Sequence, residues 1–303
     1  MLTVGTRGSA LALAQTELVL GALRDRWPGL EVRVQRIATT GDTRRDVPLA
    51  ALGRGAFVTE IETALREQRI DAAVHSAKDL PSCLSSGLRI GAILERADPR
   101  DVVVSRNGAA LRDLPKRARV GTGSPRRACQ LHALRPDIDV EGIRGNVDTR
   151  LRKLAAGDFD ALVLAAAGLI RLGRTDEATE WLDPAVMIPA VAQGAIAVEV
   201  RSDDPEVADL VAPLDHPVTA AAVTAERAFL ARLGAGCTAA VAAHGRVTDT
   251  GELSLTGLIG AVDGRHVRAT RTGAVGEADE IGDALASELL GSGGAEFLEV
   301  AAP

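Results

Sequence analysis

Two adjacent arginines, Arg126 and Arg127, stand at the predicted start of a helix in the stretch GTGSPRRACQ. Serine is a favoured N-cap and proline suits the first helical position, so Ser124 and Pro125 place both guanidinium groups in the first turn. There the positive end of the helix dipole disfavours a cation by roughly 0.3–1 kcal/mol. The pair therefore indicates either charges screened by solvent or a site for an anionic ligand.

Further arginines stand at comparable places along the chain. Arg7 precedes Ser9 and Arg144 precedes Asn146, and both of these polar residues are suited to cap a helix that follows a strand. Arg150 lies one turn after Asn146. In open α/β sheets this edge lines the ligand crevice, where amide and guanidinium groups bind carboxylates or phosphates. One such arginine is more often a solvated surface charge, but the set, in a chain of net charge −6, favours an anion pocket that two lobes share.

One carboxylate stands among these cations. Ser76 follows the predicted strand DAAVH, and Lys78 and Asp79 come within the next turn. Asp79 is either an ordinary first-turn acid that favours the helix dipole, or the acid that protonates a leaving group or stabilises a developing cation. The residue pattern leaves both interpretations open.

The cysteines are Cys83, Cys129 and Cys237, an odd number and far apart, so the sequence predicts neither a disulfide framework nor a zinc site. Cys237 lies in the glycine-flanked stretch LGAGCTAAV. Free cysteines are commonly small core residues, whereas one in a glycine-flanked loop has room for a bulky attachment. Both roles stay open for Cys237, and we expect structural roles for the other two.

Composition excludes several classes of protein. A chain of 303 residues with 46% hydrophobic residues predicts a globular protein of two or three domains. Aromatic residues make up only 2%, which argues against stacking platforms for single-stranded nucleic acid, and the acidic net charge argues against a general polyanion binder. The longest apolar run, 161–170, is too short to span a bilayer, and the N-terminal stretch does not have a signal-peptide pattern. We therefore expect a cytoplasmic protein with neither nucleic-acid nor membrane partners.

Strand and helix patterns alternate up to about residue 95 and again from Asp101, which predicts two α/β lobes with mostly parallel sheets. The stretches 65–80 and 154–169 share the pattern L-x5-D-A-x-V-x-x-A-x-x-L, so the two lobes are expected to be similar. After about residue 217 a helix is followed by strands with Asp-Gly and Thr-Gly turns, which predict a small α+β domain with an antiparallel sheet.

The expected domains are residues 1–98 with 195–214, residues 99–194, and residues 215–303. The polar segment 39–55 has the length of a functional lid or a disordered loop.

Ordered motifs along nearly the whole chain identify a family. They are TRGSALAL, AVHSAKDLP, ERADPRDV, GTGSPRRACQL, RGNVDTRL, AAGLIRLG, PAVAQGA, TAERAFLARLGAGC and LLGSGGAEFL. Together they resemble the hydroxymethylbilane synthase (porphobilinogen deaminase) family of transferases. The resemblance implies two lobes like those of a periplasmic binding protein with the site between them, and a third domain with a three-stranded sheet. It also implies that porphobilinogen units add in turn to a covalently attached dipyrromethane cofactor with loss of ammonia, before hydrolysis releases hydroxymethylbilane.

The resemblance also implies roles for individual residues. Asp79 matches the family's catalytic aspartate, which assists loss of ammonia and stabilises a cationic azafulvene. The cofactor-binding set is Cys237 (through a thioether), Ser76, Lys78, Asp79, Thr122, Ser124, Arg126, Arg127, Arg144 and Gly145. The substrate-binding set is Arg7, Ser9, Phe57, Arg144, Arg150, Arg171 and Gln193. No metal is required, and the growing polycarboxylate would supply the negative charge that the Arg126–Arg127 pair lacks.

The chain departs from the family's usual residues at several positions. Arg54 and Thr59 stand where lysines are common, and Asp148 and Ala192 stand where glycines are common. Thr238 follows Cys237 where glutamine is common. Positive charge is kept at position 54 and lost at position 59, so contacts of this segment with substrate are the property most affected.

Two other functions remain to be weighed. A non-catalytic two-lobed anion-binding protein would share the architecture, but it does not explain a third domain that presents Cys237. A nucleic-acid binder is opposed by the net charge and the scarcity of aromatic residues.

The family is usually monomeric, and a monomer is therefore expected.

Overall fold

The computed structural model describes residues 1–43, 55–234 and 239–299 of the chain. The strands are β1 (Leu2–Thr6), β2 (Val32–Arg36), β3 (Ala72–Ser76), β4 (Leu88–Ile93), β5 (Asp101–Ser105), β6 (Arg119–Gly121), β7 (Asp139–Glu141), β8 (Ala161–Ala165), β9 (Glu180–Leu182), β10 (Ile196–Arg201), β11 (Ala240–Val247), β12 (Glu252–Gly260) and β13 (His266–Ala274). The α-helices are α1 (Ala10–Arg26), α2 (Thr40–Thr43), α3 (Thr59–Arg66), α4 (Pro125–Leu134), α5 (Val147–Ala155), α6 (Ala166–Arg171), α7 (Pro205–Val211), α8 (Pro217–Leu233), α9 (Ala278–Leu289) and α10 (Ala295–Glu299). Short 3-10 turns cover Ala77–Asp79, Leu111–Asp113, Thr175–Glu177, Ala212–Leu214 and Val275–Glu277, and a π-helical turn covers Leu290–Gly294.

Residues 1–97 and 194–220 form one compact unit around a five-stranded sheet of order β2-β1-β3-β10-β4. β1 is parallel to β2 and β3, whereas β10 is antiparallel to β3 and β4. Both faces of the central strand β3 are buried: Ala72 and Val74 face a core that includes α1, and Ala73 faces another that includes α3. This alternation is what a strand covered by helices on both sides requires.

Residues 98–193 and the described residues from 221 onward form a second unit. Its five-stranded sheet has the order β7-β6-β8-β5-β9, in which β6 is parallel to β7 and β8 while β5 is antiparallel to β8 and β9. The strands β3 and β8, from the two stretches with the shared sequence pattern, occupy the same central place in their sheets. The prediction of two similar α/β lobes is therefore confirmed.

The sheets are mostly parallel, as expected, but each also contains one strand that is antiparallel to both of its neighbours. These strands are β10 and β5, and both lie next to a point where the chain passes between the two units.

The second unit also contains the three-stranded antiparallel sheet β11-β12-β13, which confirms the predicted C-terminal sheet. α9 packs on β12 and β13, and α4 packs on β11. Cys129 of α4 and Ile188 form a small core with Ala240, Ala242 and Leu258 of this sheet. The predicted boundary that separates residues 99–194 from residues 215–303 stays a prediction.

Candidate active site

At the strand-to-helix edge of the first unit, Arg7 follows β1 and Ser9 caps α1 by accepting a hydrogen bond from the backbone of Ala12. Arg7 Nη2 donates to Asp42 Oδ1 at 2.6 Å and Arg7 Nε to Asp42 Oδ2 at 3.1 Å. Its guanidinium carbon lies 4.2 Å from the centre of the Phe57 ring. These contacts hold the Arg7 side chain between an acid and an aromatic face.

Asp79 lies at the end of the 3-10 turn that follows β3, and its Oδ2 is 3.8 Å from Arg7 Nη1. The side chain of Asp79 is 32% exposed, so this carboxylate can meet a ligand. Burial opposes the charge of Arg7, but its hydrogen bond to Asp42 and the charges of Asp79 and Asp42 outweigh burial and raise the pKa of Arg7. The edge therefore keeps a cation beside an accessible carboxylate.

The backbone that carries Asp79 is held on both sides. Ser76, the last residue of β3, exchanges hydrogen bonds with the amide of Gln15, with Oγ at 2.7 Å from Nε2 and 3.1 Å from Oε1. The amide of Ala77 donates to the carbonyl of Ala195 at 3.1 Å. Lys78 is exposed in the same turn. The first unit thus brings together Arg7, Ser76, Lys78 and Asp79 from the predicted site.

In the second unit the helix start that carries Arg126 and Arg127 has the predicted cap. Ser124 Oγ accepts a hydrogen bond from the backbone of Arg127 at 3.4 Å, and Pro125 is the first helical residue. Both guanidinium groups are buried and bind one carboxylate, that of Asp101. Arg126 Nη1 donates to Oδ2 at 2.6 Å, and Arg127 donates to Oδ1 from Nη2 at 2.8 Å and from Nε at 3.1 Å.

Asp101, the first residue of β5, was missed by the sequence analysis. It is wholly buried, and although burial opposes its charge, Arg126 and Arg127 outweigh that effect and hold the pKa of Asp101 well below its usual range. Gln193 adds a hydrogen bond from Nε2 to Oδ1 at 2.9 Å. The only signal in the sequence was an acid inside the motif ERADPRDV, since no spacing rule links it to arginines 25 and 26 residues away.

The charges of this cluster do not balance, because one carboxylate serves two guanidinium groups. Burial, and next the charge of Arg126, lower the pKa of Arg127, against the opposing effect of Asp101. An excess positive charge in a setting of low dielectric raises the affinity for an anion. Within the described residues, Asp101 thus supplies part of the negative charge at this helix start, and a net positive charge remains.

Two more arginines lie next to this cluster. Burial, together with the charges of Arg127 and Arg144, lowers the pKa of Arg150 to about 10. Arg150 Nε donates to the carbonyl of Gly145 at 2.8 Å, and Gly145 takes a φ of +112° that favours glycine. Arg144 Nη1 is buried and has no hydrogen-bond partner among the residues that the structure describes. A carboxylate here would satisfy this donor and stabilise both charges.

The remaining predicted residues of the second unit are Thr122, which is buried and accepts from the backbone of Ser124 at 3.2 Å, and Arg171, at the end of α6. Burial lowers the pKa of Arg171 to about 10. Cys237, Arg54 and Thr238 lie outside the described residues, as does the part of the segment 39–55 from 44 to 54.

Three departures from the family's usual residues have structural counterparts. Ala192 takes a φ of +57°, in the left-handed region where an L residue loses roughly 1–2 kcal/mol and glycine does not. Asp148 binds Arg174, with Oδ1 at 2.6 Å from Nη1, which no glycine could do. Thr59 begins α3, and its Oγ1 donates to the carbonyl of Gly55 at 3.0 Å.

Two family models match the chain. Residues 2–209 match "Porphobilinogen deaminase, dipyromethane cofactor binding domain", and residues 220–291 match "Porphobilinogen deaminase, C-terminal domain". The protein named porphobilinogen deaminase from Roseiflexus castenholzii is 55% identical over 98% of both chains. The one of the same name from Syntrophobacter fumaroxidans is 50% identical over 99% of this chain and 97% of its own. The similarity therefore runs almost from end to end.

The chain is also similar to solved structures of low sequence identity. The periplasmic aliphatic sulphonate binding protein SsuA from Escherichia coli aligns with a TM-score of 0.43 and 14% identity over 76% of this chain and 69% of its own. Within the described residues, no helix is both long and apolar enough to cross a membrane.

Proposed function

This chain belongs to the porphobilinogen deaminase family, and from that membership we infer that it is a hydroxymethylbilane synthase, a transferase of tetrapyrrole biosynthesis. It joins four porphobilinogen units head to tail with loss of ammonia at each addition, and hydrolysis then releases hydroxymethylbilane. When bound, the dipyrromethane cofactor supplies the pyrrole carbon to which the first unit is joined.

The observation that carries this proposal is the excess of buried positive charge in the second unit. Each pyrrole ring of the substrate and of the cofactor carries an acetate and a propionate. The unsatisfied Nη1 of Arg144 and the lowered pKa of Arg150 mark cations that lack a counter-ion within the described residues. Guanidinium groups bind carboxylates in a bidentate manner, so the residues present fit the cofactor and the product chain.

We assign the residues of the site as follows. Cys237 holds the cofactor through a thioether. The other residues that bind the carboxylates and rings of the cofactor are Ser76, Lys78, Asp79, Thr122, Ser124, Arg126, Arg127, Arg144 and Gly145. The substrate is bound by Arg7, Ser9, Phe57, Arg144, Arg150, Arg171 and Gln193. Gln193 is buried and donates to Asp101, so its contribution to substrate binding would be to orient the arginine cluster.

We assign the chemical step to Asp79. When the carbon–nitrogen bond of the substrate breaks, ammonia leaves with the bonding electrons and positive charge develops on the pyrrole ring. An ionised carboxylate stabilises that charge, and it can accept the proton that is lost once the new carbon–carbon bond has formed. The Arg7 guanidinium group lies 3.8 Å from the Asp79 carboxylate and holds a fixed positive charge beside it.

The experiment that tests this function is the intact mass of the purified native chain, Cys237→Ala and Cys83→Ala. Cys83 is exposed and is the matched control. We expect a mass excess of one two-ring pyrrole adduct on the native chain and on Cys83→Ala, and the bare polypeptide mass for Cys237→Ala. If the native chain has the bare mass and stays there after incubation with porphobilinogen, the assignment is wrong.

Turnover separates this function from a non-catalytic anion-binding protein, which the family membership does not favour. We expect the native chain to release ammonia from porphobilinogen, and binding without ammonia release would support the binding protein. We further propose that the enzyme is a cytoplasmic monomer without nucleic-acid or membrane partners. Sedimentation of the native chain at a mass near 31.4 kDa would support the monomer.

A further inference from the structure

A buried carboxylate outside the assigned site connects two backbone segments of the second unit. Glu226 of α8 is wholly buried. Its Oε2 accepts a hydrogen bond from the amide of Ala192 at 2.5 Å, and its Oε1 accepts one from the amide of Gly245 in β11 at 2.7 Å. A buried charge is costly unless it is hydrogen-bonded, so a carboxylate at this place indicates a specific structural requirement.

The first segment it holds is in an unfavourable backbone conformation. Ala192 has a φ of +57°, which non-glycine residues adopt only where the surroundings impose it, and such positions cluster near functional sites. The next residue, Gln193, donates from Nε2 to the carbonyl of Pro99 at 2.8 Å and to Asp101 Oδ1 at 2.9 Å. The conformation at position 192 therefore decides where the Gln193 amide lies.

We propose that Glu226 is a positioning residue for the carboxylate-binding cluster of Arg126, Asp101 and Arg127, and that it acts through Ala192 and Gln193. This inference rests on the proposed function, which assigns the two arginines to binding the carboxylates of the cofactor. Glu226, Ala192 and Gln193 are called the brace below.

The geometry of the cluster explains why the brace matters for binding. Asp101 Oδ1 accepts from Gln193 and from Arg127, while Oδ2 accepts from Arg126. If Gln193 shifts, the Asp101 carboxylate loses one of its donors and can rotate, which changes the hydrogen bonds that orient Arg126 and Arg127. A shift of this size at a binding group is costly because bidentate contacts depend strongly on orientation.

The test is a double-mutant cycle on the full chain, with Glu226→Gln, Ala192→Gly and the double variant. Glutamine keeps the shape of the side chain but can no longer accept from both amides. We expect Glu226→Gln to raise the KM for porphobilinogen roughly 10-fold with a smaller change in kcat, because carboxylate binding acts on the ground state and the transition state alike. Glycine adopts a positive φ without strain. We therefore expect the KM of the double variant to be lower than that of Glu226→Gln by about threefold or more.

Glu180→Gln is the matched control. Glu180 Oε2 also accepts from a backbone amide of the second unit, that of Leu111 at 2.6 Å, but Glu180 does not belong to the brace. We expect Glu180→Gln to lower the thermal midpoint and to leave KM unchanged. The proposal is overturned if Glu226→Gln lowers the thermal midpoint but leaves KM unchanged, as the control does. It is also overturned if the KM of the double variant is no lower than that of Glu226→Gln.

Two readouts do not depend on turnover. The intact mass shows whether each variant carries the pyrrole adduct, and we expect Glu226→Gln to carry it on a smaller fraction of chains than Glu180→Gln. The unfolding free energies of the same cycle measure the coupling between positions 226 and 192. If the native chain neither turns over nor carries an adduct, the proposed function fails. In that case a coupling free energy between positions 226 and 192 in the unfolding cycle still supports the brace. Additive changes in the free energy of unfolding overturn it.

Discussion

The carboxylate of Asp101 binds the guanidinium group of Arg127 through Oδ1, at 2.8 Å from Nη2 and 3.1 Å from Nε, and both side chains are buried. Arg126 binds the other oxygen at 2.6 Å. One acid thus orients two adjacent cations at the start of α4. Because this acid is outnumbered, the three side chains together keep a net positive charge, on which the proposed binding of ligand carboxylates depends.

Loss of the Asp101 charge should destabilise the second unit strongly. Asp101→Asn keeps the shape but leaves two buried guanidinium groups without an ionised partner, which costs about 3–5 kcal/mol. Equilibrium denaturation of the native chain and the variant measures this difference. Asp263→Asn, which removes an exposed partner of Arg265, is the control and should leave the free energy of unfolding unchanged. An equally small effect at Asp101 would mean that the cluster contributes little to stability.

The same pair predicts a dependence of stability on acid. Since the arginines depress the pKa of Asp101 in the folded state, the unfolded chain takes up the proton first as the pH falls. The stabilisation is therefore fully present above the unfolded value of about 4 and is lost progressively below it. Asp42, whose pKa is lowered because the hydrogen bond and charge of Arg7 outweigh burial, contributes with the same sign. Denaturation at pH 7 and pH 3 should show a smaller loss for Asp101→Asn than for the native chain, and equal losses would contradict the assignment.

Arg150 should be a residue at which stability and binding oppose each other. Its pKa is lowered to about 10, chiefly by burial, so at neutral pH the folded chain carries a disfavoured charge. We expect Arg150→Met to raise the free energy of unfolding by about 1–3 kcal/mol. The same change should raise the KM for porphobilinogen roughly 10-fold, because a guanidinium–carboxylate contact is lost.

The pH dependence of Arg150→Met provides a sharper test. As the pH rises through about 10, Arg150 loses its proton in the folded native chain but keeps it in the unfolded chain. The free energy of unfolding of the native chain therefore rises relative to that of the variant, and the difference between them shrinks. Arg152→Met, at an exposed position of the same helix, is the control and should change neither quantity. A native chain that stays more stable than Arg150→Met at pH 7 would show that the charge is already compensated.

Asp79→Asn should separate cofactor attachment from turnover. The amide keeps the shape and the place in the 3-10 turn but cannot stabilise a developing cation, so we expect kcat to fall by about 10²–10⁴. Intact mass should still show the pyrrole adduct, since Cys237 is unchanged. Asp25→Asn, at an exposed position of α1, is the control for loss of an acid. Near-native turnover of Asp79→Asn would remove Asp79 from the mechanism.

Local features of this protein could be predicted from the sequence because they depend on neighbouring residues. Ser9, Ser124 and Asn146 accept hydrogen bonds from backbone amides three residues ahead, as helix caps should. The shared pattern of the stretches 65–80 and 154–169 predicted similar elements in the two lobes, because a repeated hydrophobic pattern specifies a repeated element. These stretches contain β3 and β8, which occupy the same place in their sheets. The family and its function followed from ordered motifs along the chain.

Only the tertiary structure decided which groups those elements bring together. The pairing of Arg126 and Arg127 with Asp101 depends on the antiparallel placement of β5 beside β8, which no local pattern encodes. The contact of Glu226 with Ala192 joins residues 34 positions apart through the packing of α8. Sequence patterns indicate which residues carry charge and where helices begin. Whether a charge meets a partner, and how strongly burial shifts its pKa, is set by long-range packing.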